Sequence, residues 1–348
     1  MAAARLPAPV TAACGSASGP AVKKTDGISG RDRKGGQGPV KEKLVVILGP
    51  TATGKSHCGI ELAKRFRGEI ISGDSMLVYR HMDIGTAKPT PEELASVPHH
   101  LVDILPPDAD FSVVDFRERA AALLADITAR GRLPILVGGT GLYIKALLED
   151  YRFSTVDSDP ALRHHWETYA AEHGPEALHE ELRRVDPEAA ARLHPHDVRR
   201  VVRALETAAG GGSVSRDRAP GPVYDALVFG LTMDRDYLYE RIDARVDGML
   251  AAGLEDEVRR LLEAGVRPDC LSMKSLGYRQ MAAYLTGHCG YETAVEEIKK
   301  GTRHFAKRQL TWYRRMPYVH WLHLDRPPNY EQCVTTMAAL LVEWMEKS

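Results

Sequence analysis

The eight residues Gly49-Pro50-Thr51-Ala52-Thr53-Gly54-Lys55-Ser56 constrain this chain more than any other stretch. They have the spacing G-x-x-x-x-G-K-S, and both flanks supply the context such a loop demands. Before it, Leu44-Val45-Val46-Ile47-Leu48 is an unbroken apolar run rich in β-branched residues, which reads as a strand buried on both faces. After it, Cys58, Ile60, Leu62, Ala63 and Phe66 mostly follow helical spacing over Lys55 to Phe66. A strand entering a glycine loop that opens a helix forms a cradle for an anion. Backbone N–H groups converge, the helix N-terminus adds its positive dipole end, Lys55 adds a charge, and Ser56 offers a hydroxyl to Mg2+. The loop therefore calls for a diphosphate or polyphosphate, without choosing ATP.

Further strands are expected at Glu69-Ile70-Ile71-Ser72, Leu101-Val102-Asp103-Ile104, Ile135-Leu136-Val137 and Ala226 to Leu231, with an edge strand at Val319 to Leu324. Helices are expected over Val113 to Ala129, Tyr237 to Ala264 and Ser275 to Arg315. Alternation of strands and helices implies a parallel sheet. Residues 157–197 are rich in Ala, Glu, Arg and His without a strand-like run, and read as a helical insertion, while Gly210-Gly211-Gly212-Ser213 marks a loop. Residues 1–40, rich in Ala, Gly, Pro and Ser, read as a disordered tail, with an organelle-targeting peptide as the lesser reading.

Composition excludes several classes. Lys and Arg number 46 against 47 Asp and Glu, a formal charge of -1, so the chain is no histone-like binder and any basic site must be local. The 5 cysteines, Cys14, Cys58, Cys270, Cys289 and Cys333, are scattered without a C-x-x-C, which suggests neither a disulfide framework nor a zinc knuckle and fits a reducing cytoplasm. No apolar run approaches the roughly 18 residues of a membrane-spanning helix.

An ordinary nucleotide hydrolase would end a strand in a metal-holding acid. Here Ile135-Leu136-Val137 ends in Gly138-Gly139-Thr140. The second strand instead delivers Ser72-Gly73-Asp74-Ser75 to the carboxyl edge of the sheet, where ligands bind in such folds. Asp74 can ligate Mg2+, accept a proton from a nucleophile, or cap the next turn.

Together with the phosphate loop, Gly73-Asp74-Ser75-Met76-Leu77-Val78-Tyr79, Met82 to Pro89, Pro98-His99-His100-Leu101 and Gly138-Gly139-Thr140-Gly141-Leu142-Tyr143 resemble successive signatures of the tRNA dimethylallyltransferase (tRNA isopentenyltransferase) family. Asp197-x-x-Arg200-x-x-Arg203-Ala204-Leu205-Glu206, Ser275 to Gln280 and Lys307 to Arg314 continue the match in the right order, over about Leu44 to Leu324. The resemblance implies an α/β fold, with a P-loop NTPase-like parallel sheet core flanked by helices (41–156 and 198–348) and a mostly helical insertion domain (157–197). It also implies transfer of a dimethylallyl group from dimethylallyl diphosphate, with Mg2+, to the exocyclic amine of the adenosine 3′ of the anticodon, by a monomeric, cytoplasmic enzyme.

By the same resemblance, the loop from Gly49 to Ser56 binds the diphosphate and Ser56 the metal. Asp74 accepts the proton from the amine, with Thr140 and Arg163 at the channel where donor and base meet. Arg241 resembles a family arginine near the diphosphate, with a surface arginine as the equal alternative. The residues assigned to tRNA are Asp74, Ser75, Met76 and Leu77; His196, Asp197, Val198, Arg199 and Arg200; Lys274, Gly277, Tyr278 and Arg279; and Lys307, Arg308, Gln309, Thr311, Trp312 and Arg314. Leu77 stands where Gln is frequent and His196 where Asn is usual. After Arg315 only Cys333 remains, so the zinc finger of eukaryotic relatives has no counterpart and the bacterial type is favoured.

An RNA face can also be argued from the residues alone. Residues 299–315 carry seven Lys/Arg and no acid, with Phe305, Trp312 and Tyr313 interleaved. On a helix Lys307, Thr311 and Arg314 share a face, suited to phosphates and splayed bases, although Trp312 could equally be core. The competing readings are an adenylate isopentenyltransferase acting on a free nucleotide, a P-loop small-molecule kinase, and a non-catalytic RNA-binding protein. A free nucleotide needs neither the insertion nor the basic helix.

Overall fold

The computed structural model describes residues 41–149, 159–212 and 223–347. The expected tail and the first residues of the expected insertion lie outside these. The chain runs β1 (Lys43–Leu48), α1 (Lys55–Phe66), β2 (Gly68–Ser72), α2 (Pro91–Ser96), β3 (His99–His100), α3 (Val113–Ala129), β4 (Leu133–Gly138) and α4 (Gly141–Leu148). It continues through α5 (Pro160–His173), α6 (Pro175–Val185), α7 (Pro187–Arg192), α8 (Val198–Ala209), β5 (Asp225–Thr232), α9 (Arg235–Ala251) and α10 (Leu254–Glu263). The last elements are α11 (Tyr278–Leu285), α12 (Tyr291–Tyr313), β6 (Val319–His323) and α13 (Tyr330–Glu346).

The strands form one parallel sheet in the order β3-β2-β4-β1-β5-β6. Helices cover both faces, and β1 shows why. Leu44, Val46 and Leu48 enter one apolar cluster with Phe116, Leu124 and Tyr143, whereas Val45 and Ile47 enter another with Leu62, Phe229 and Met337. Alternating side chains of a strand point to opposite faces, so an unbroken apolar run requires two covers. Register brings the carboxyl ends level: Leu48 pairs with Gly138, and Ser72 with Val137. The loops that begin at Gly49, Gly73 and Gly139 therefore leave the sheet side by side.

Four sequence expectations change. The segment 101–104 is not a strand: Leu101 and Asp103 have φ of 61° and 55°, and its N–H groups bond Leu77 and Val78 rather than the sheet. The single helices expected over 237–264 and 275–315 are each two, interrupted at Gly253 and after Leu285. The helical unit runs through α8 instead of stopping at 197. Val201, Val202, Ala204 and Leu205 of α8 share an apolar cluster with Leu178 and Leu182 of α6 and Ala189 and Ala190 of α7. Within it the buried His179 ring meets the carbonyls of Ala190 and Leu193 at 3.0 and 2.9 Å, tying α6 to the end of α7.

Candidate active site

The phosphate loop turns tightly at the end of β1. Gly54 has φ 84°, a left-handed conformation that suits glycine, and a side chain there would strike the ring of Tyr330 at 2.3 Å. Thr53 Oγ1 and Lys55 Nζ both donate to the Pro50 carbonyl, at 2.8 and 3.3 Å, so the loop is braced from within. Ala52 and Thr53 are buried, Gly49 and Pro50 likewise, and Ser56 stands exposed at the start of α1.

The neighbouring loops are drawn against it by close backbone contact. A Cβ on Gly138 would lie 2.3 Å from the Gly73 carbonyl, so only glycine lets the ends of β4 and β2 meet. That crossing fixes Asp74. Its Oδ1 accepts from Met76 N at 2.9 Å, an Asx turn, while Oδ2 faces Gly139. A Cβ on Gly139 would stand 3.7 Å from both Asp74 Oδ2 and Lys55 Cε. Asp74 and Lys55 thus approach the same backbone turn, where Gln309 Nε2 lies nearer still, 2.6 Å from that Cβ position. Thr140 Oγ1 accepts from Ser75 N at 3.1 Å, locking the loop after β4 to that carrying Asp74.

Excess positive charge surrounds that carboxylate. Arg241 donates from Nε to the Ala52 carbonyl at 3.0 Å and from Nη2 to Tyr330 Oη at 2.8 Å. One turn along α9, burial holds the Arg245 guanidinium below its usual pKa, opposed by Asp74 and reinforced by Arg241. Burial, then the charge of Arg245, lowers the Lys55 ammonium to about 8, with Asp74 pulling the other way. Partly desolvated cations outnumber the acid that faces them, which is the electrostatic condition an anion relieves.

Gln309 and Tyr313 of α12 close the site from the far side. Gln309 accepts from Thr51 N at 3.0 Å and donates to the Gly139 carbonyl at 2.7 Å, to which Tyr313 Oη also donates at 2.6 Å. Gln309, expected at tRNA, is 5% exposed, and its side chain points into the site. Tyr278, also expected at tRNA, faces inward too. It is fully buried, and its hydroxyl donates to Glu257, which also accepts the N–H groups of Asp83, Ile84 and Gly85. Gly277, also buried, starts α11 with its N–H on Gln280.

The other expected RNA residues divide by exposure. Lys307, Arg308, Thr311, Trp312 and Arg314 are exposed along the outer face of α12. Trp312 is 39% exposed with its indole edge against Gly141, so it is not core. Lys274 and Arg279 are exposed beside α11; His196, Arg199 and Arg200 are exposed at the start of α8, where Asp197 pairs with Arg200 at 3.4 Å and Val198 is half-buried. Ser75, Met76 and Leu77 are half-buried beside Asp74. Arg163 is not brought to the loop: it pairs with the buried Glu206 of α8 at 3.0 Å, inside the helical unit.

Sequence reasoning passed over Arg245 and Tyr330, gave Tyr313 to the basic RNA face, and assigned Glu257 no role in the site. Arg245 could have been found four residues after Arg241, on the same helical face. Tyr330 lies beyond every motif, and no local pattern marks it.

The IPP transferase family model matches residues 77–316. A tRNA dimethylallyltransferase of Geobacillus thermodenitrificans is 51% identical over 293 residues, 83% of this chain and 93% of that protein. One from Symbiobacterium thermophilum is 50% identical over 308 residues, 87% and 96% of the two chains. The solved tRNA isopentenylpyrophosphate transferase of Bacillus halodurans is 45% identical, covers 88% of this chain and 98% of its own, and superposes with a TM-score of 0.68. A eukaryotic dimethylallyltransferase acting on tRNA reaches the same TM-score at 27% identity, over 81% and 74% of the two chains. No described helix is long and apolar enough to cross a membrane. With this extent of match, joined to a phosphate loop that faces a carboxylate and not a hydrolase acid, the chain belongs to the IPP transferase family.

Proposed function

We propose that this protein is a tRNA dimethylallyltransferase, moving a dimethylallyl group from dimethylallyl diphosphate to the exocyclic amine of the adenosine 3′ of the anticodon and releasing diphosphate. The carrying observation is the approach of Asp74 Oδ2 and the Lys55 side chain to the same Gly139 backbone, beside the phosphate loop. The transfer forms a bond from the adenine nitrogen to the allylic carbon, breaks the carbon–oxygen bond to diphosphate, and frees one amine proton. A carboxylate facing the amine takes that proton as electron density leaves the nitrogen. Lys55, Arg241 and Arg245 supply positive charge where the leaving diphosphate becomes more negative.

The donor set suits Mg2+. Among the described residues no three His, Cys, Asp or Glu gather as a metal cage; Ser56 at the start of α1 and Asp74 after β2 are the residues that would offer the ion oxygens. Mg2+ takes one or two such ligands with phosphate oxygens and water, and when bound it neutralises charge on the diphosphate.

The exposed face of α12 supports a tRNA acceptor rather than a free nucleotide. Lys307, Arg308 and Arg314 suit phosphates, and the exposed indole of Trp312 suits an unstacked base beside Gly141 and Thr140. The target base must leave its stack, at a cost of about a few kcal/mol that is least in an unpaired loop. A monomer in a reducing cytoplasm is the setting favoured by the family resemblance and the scattered cysteines.

The test is incubation with dimethylallyl diphosphate, Mg2+ and unmodified tRNA, followed by mass analysis of the anticodon loop. One dimethyallyl mass gain on that adenosine is expected; transfer to free AMP alone, or none, overturns the reading. Asp74→Ala should abolish turnover and leave tRNA affinity within about twofold, whereas equal loss of both makes Asp74 a structural residue.

A further inference from the structure

Gln309 sits in the most basic helix of the chain, yet its amide turns away from solvent and spans two loops of the site. Its Oε1 takes the Thr51 N–H of the phosphate loop at 3.0 Å, and its Nε2 gives to the Gly139 carbonyl at 2.7 Å. The first loop follows β1 and carries Lys55; the second follows β4 and leads to Thr140. Gly139 in turn abuts both Asp74 Oδ2 and Lys55 Cε. One buried side chain therefore spans the loop that holds the leaving group and the loop beside the proton acceptor. Nothing else among the described side chains hydrogen-bonds to both Thr51 and Gly139; Tyr313 reaches only the second, at 2.6 Å.

We infer that Gln309 is a positioning residue for the transfer step, setting the distance between the donor diphosphate and Asp74, and that it is no tRNA contact. It also withdraws the Thr51 N–H from the phosphate cradle, leaving the donors from Ala52 to Ser56 for the anion. A carboxamide is the suitable group because the span needs one acceptor and one donor at once. Glu would supply only acceptors, and place a negative charge next to the leaving group. Reacting atoms must be held near attack distance for the transfer to proceed, so a small displacement of one loop against the other lowers the rate. The inference rests on the transfer reaction proposed above.

The test compares wild type with Gln309→Met, which keeps length and volume and removes both hydrogen bonds. Gln309→Glu, which retains the acceptor for Thr51, is the second variant should Gln309→Met fail to fold. The readouts are kcat, KM for dimethylallyl diphosphate, Kd for inorganic diphosphate with Mg2+ by calorimetry, and Kd for unmodified tRNA. The expectation is a donor KM and diphosphate Kd raised about tenfold and a kcat reduced about tenfold, with tRNA Kd within twofold, as loss of two neutral hydrogen bonds implies. A weakened tRNA Kd with unchanged diphosphate Kd makes Gln309 an RNA contact and overturns the inference. So does a lower kcat with unchanged donor KM and diphosphate Kd, which signals only a smaller folded fraction. Wild type that transfers nothing from dimethylallyl diphosphate refutes the reaction instead, and is separated from these results by the wild-type assay itself.

Discussion

Glu257→Gln is expected to destabilise the protein by about 2 kcal/mol, a large effect for the exchange of one oxygen for an amide nitrogen. The carboxylate is 3% exposed and receives four donors: the N–H groups of Asp83 and Ile84, each at 2.9 Å, that of Gly85 at 3.2 Å, and the Tyr278 hydroxyl. Asp83 and Ile84 share Oε2; Gly85 and Tyr278 share Oε1. Turned one way, the glutamine NH2 confronts the Asp83 and Ile84 N–H groups; turned the other, it confronts the Gly85 N–H while the Tyr278 hydroxyl rotates to accept from it, so at least one partly buried N–H is left unsatisfied at about 1–3 kcal/mol, and the bonds that survive lose their charge assistance. Urea unfolding followed by tryptophan fluorescence measures the loss. Amide exchange at Asp83, Ile84 and Gly85 should accelerate ahead of the sheet strands, because the loop opens before the core does. Tyr278→Phe removes one donor and leaves the carboxylate three, so it should cost only about 1 kcal/mol. A Glu257→Gln change below about 1 kcal/mol, or unaltered exchange at 83–85, would refute the view that this carboxylate anchors the loop.

Replacing both Lys307 and Arg314 by Ala should weaken tRNA binding and flatten its dependence on salt by about 1.4 in log–log slope, since each phosphate contact on a single strand contributes about 0.7. An unchanged slope takes α12 off the RNA. The Arg130 guanidinium, and after it the His100 ring, hold the buried Glu69 carboxyl down at about 2. Arg130 Nη2 lies 2.9 Å from Oε2, and His100 Nε2 lies 2.8 Å from the same oxygen. Because the folded-state value lies below the unfolded one, this stabilisation is complete above the ordinary carboxylate pKa and disappears as pH falls through about 2. After allowance for the partial exposure of Arg130 it amounts to about 2 kcal/mol. Glu69→Gln should therefore shrink the fall in unfolding free energy between pH 5 and pH 2 by about that amount, and an identical acid profile would show the cluster contributes nothing.

Elements with strong local signals were legible in the sequence. The five-residue apolar run became β1, and the expected span Val113 to Ala129 is that of α3, where Ser112 and Asp115 cap the start reciprocally. Asp74 was legible because a strand end in a parallel sheet has a fixed destination. What was illegible depends on partners distant in sequence. Gln309 lies 258 residues from the amide it binds, and along α12 it is a neutral residue in a basic helix. Glu257, which follows Glu255 and Asp256 directly in sequence, is the one of the three that is buried. Arg163 is held apart from the phosphate loop by a partner of its own helical unit, Glu206. The segment 101–104 has the residues of a strand, but its backbone is bonded to the loop after Asp74.

Tyr330 gives the site a history as well as a shape. Its ring covers Gly54 and its hydroxyl engages Arg241, but it stands at the start of α13, long after the loop it covers. During synthesis the strand, loop and first helix emerge early, while the groups that wall and brace the loop, Gln309, Tyr313 and Tyr330, are still untranslated. Such long-range closures come late in folding because the intervening chain must be ordered first. A ribosome-bound fragment ending before α12 would therefore hold the nucleophile's acceptor and the phosphate loop without the frame that aligns them. The capacity to modify tRNA would then arrive abruptly, with the last helices, and not accumulate as the chain grows.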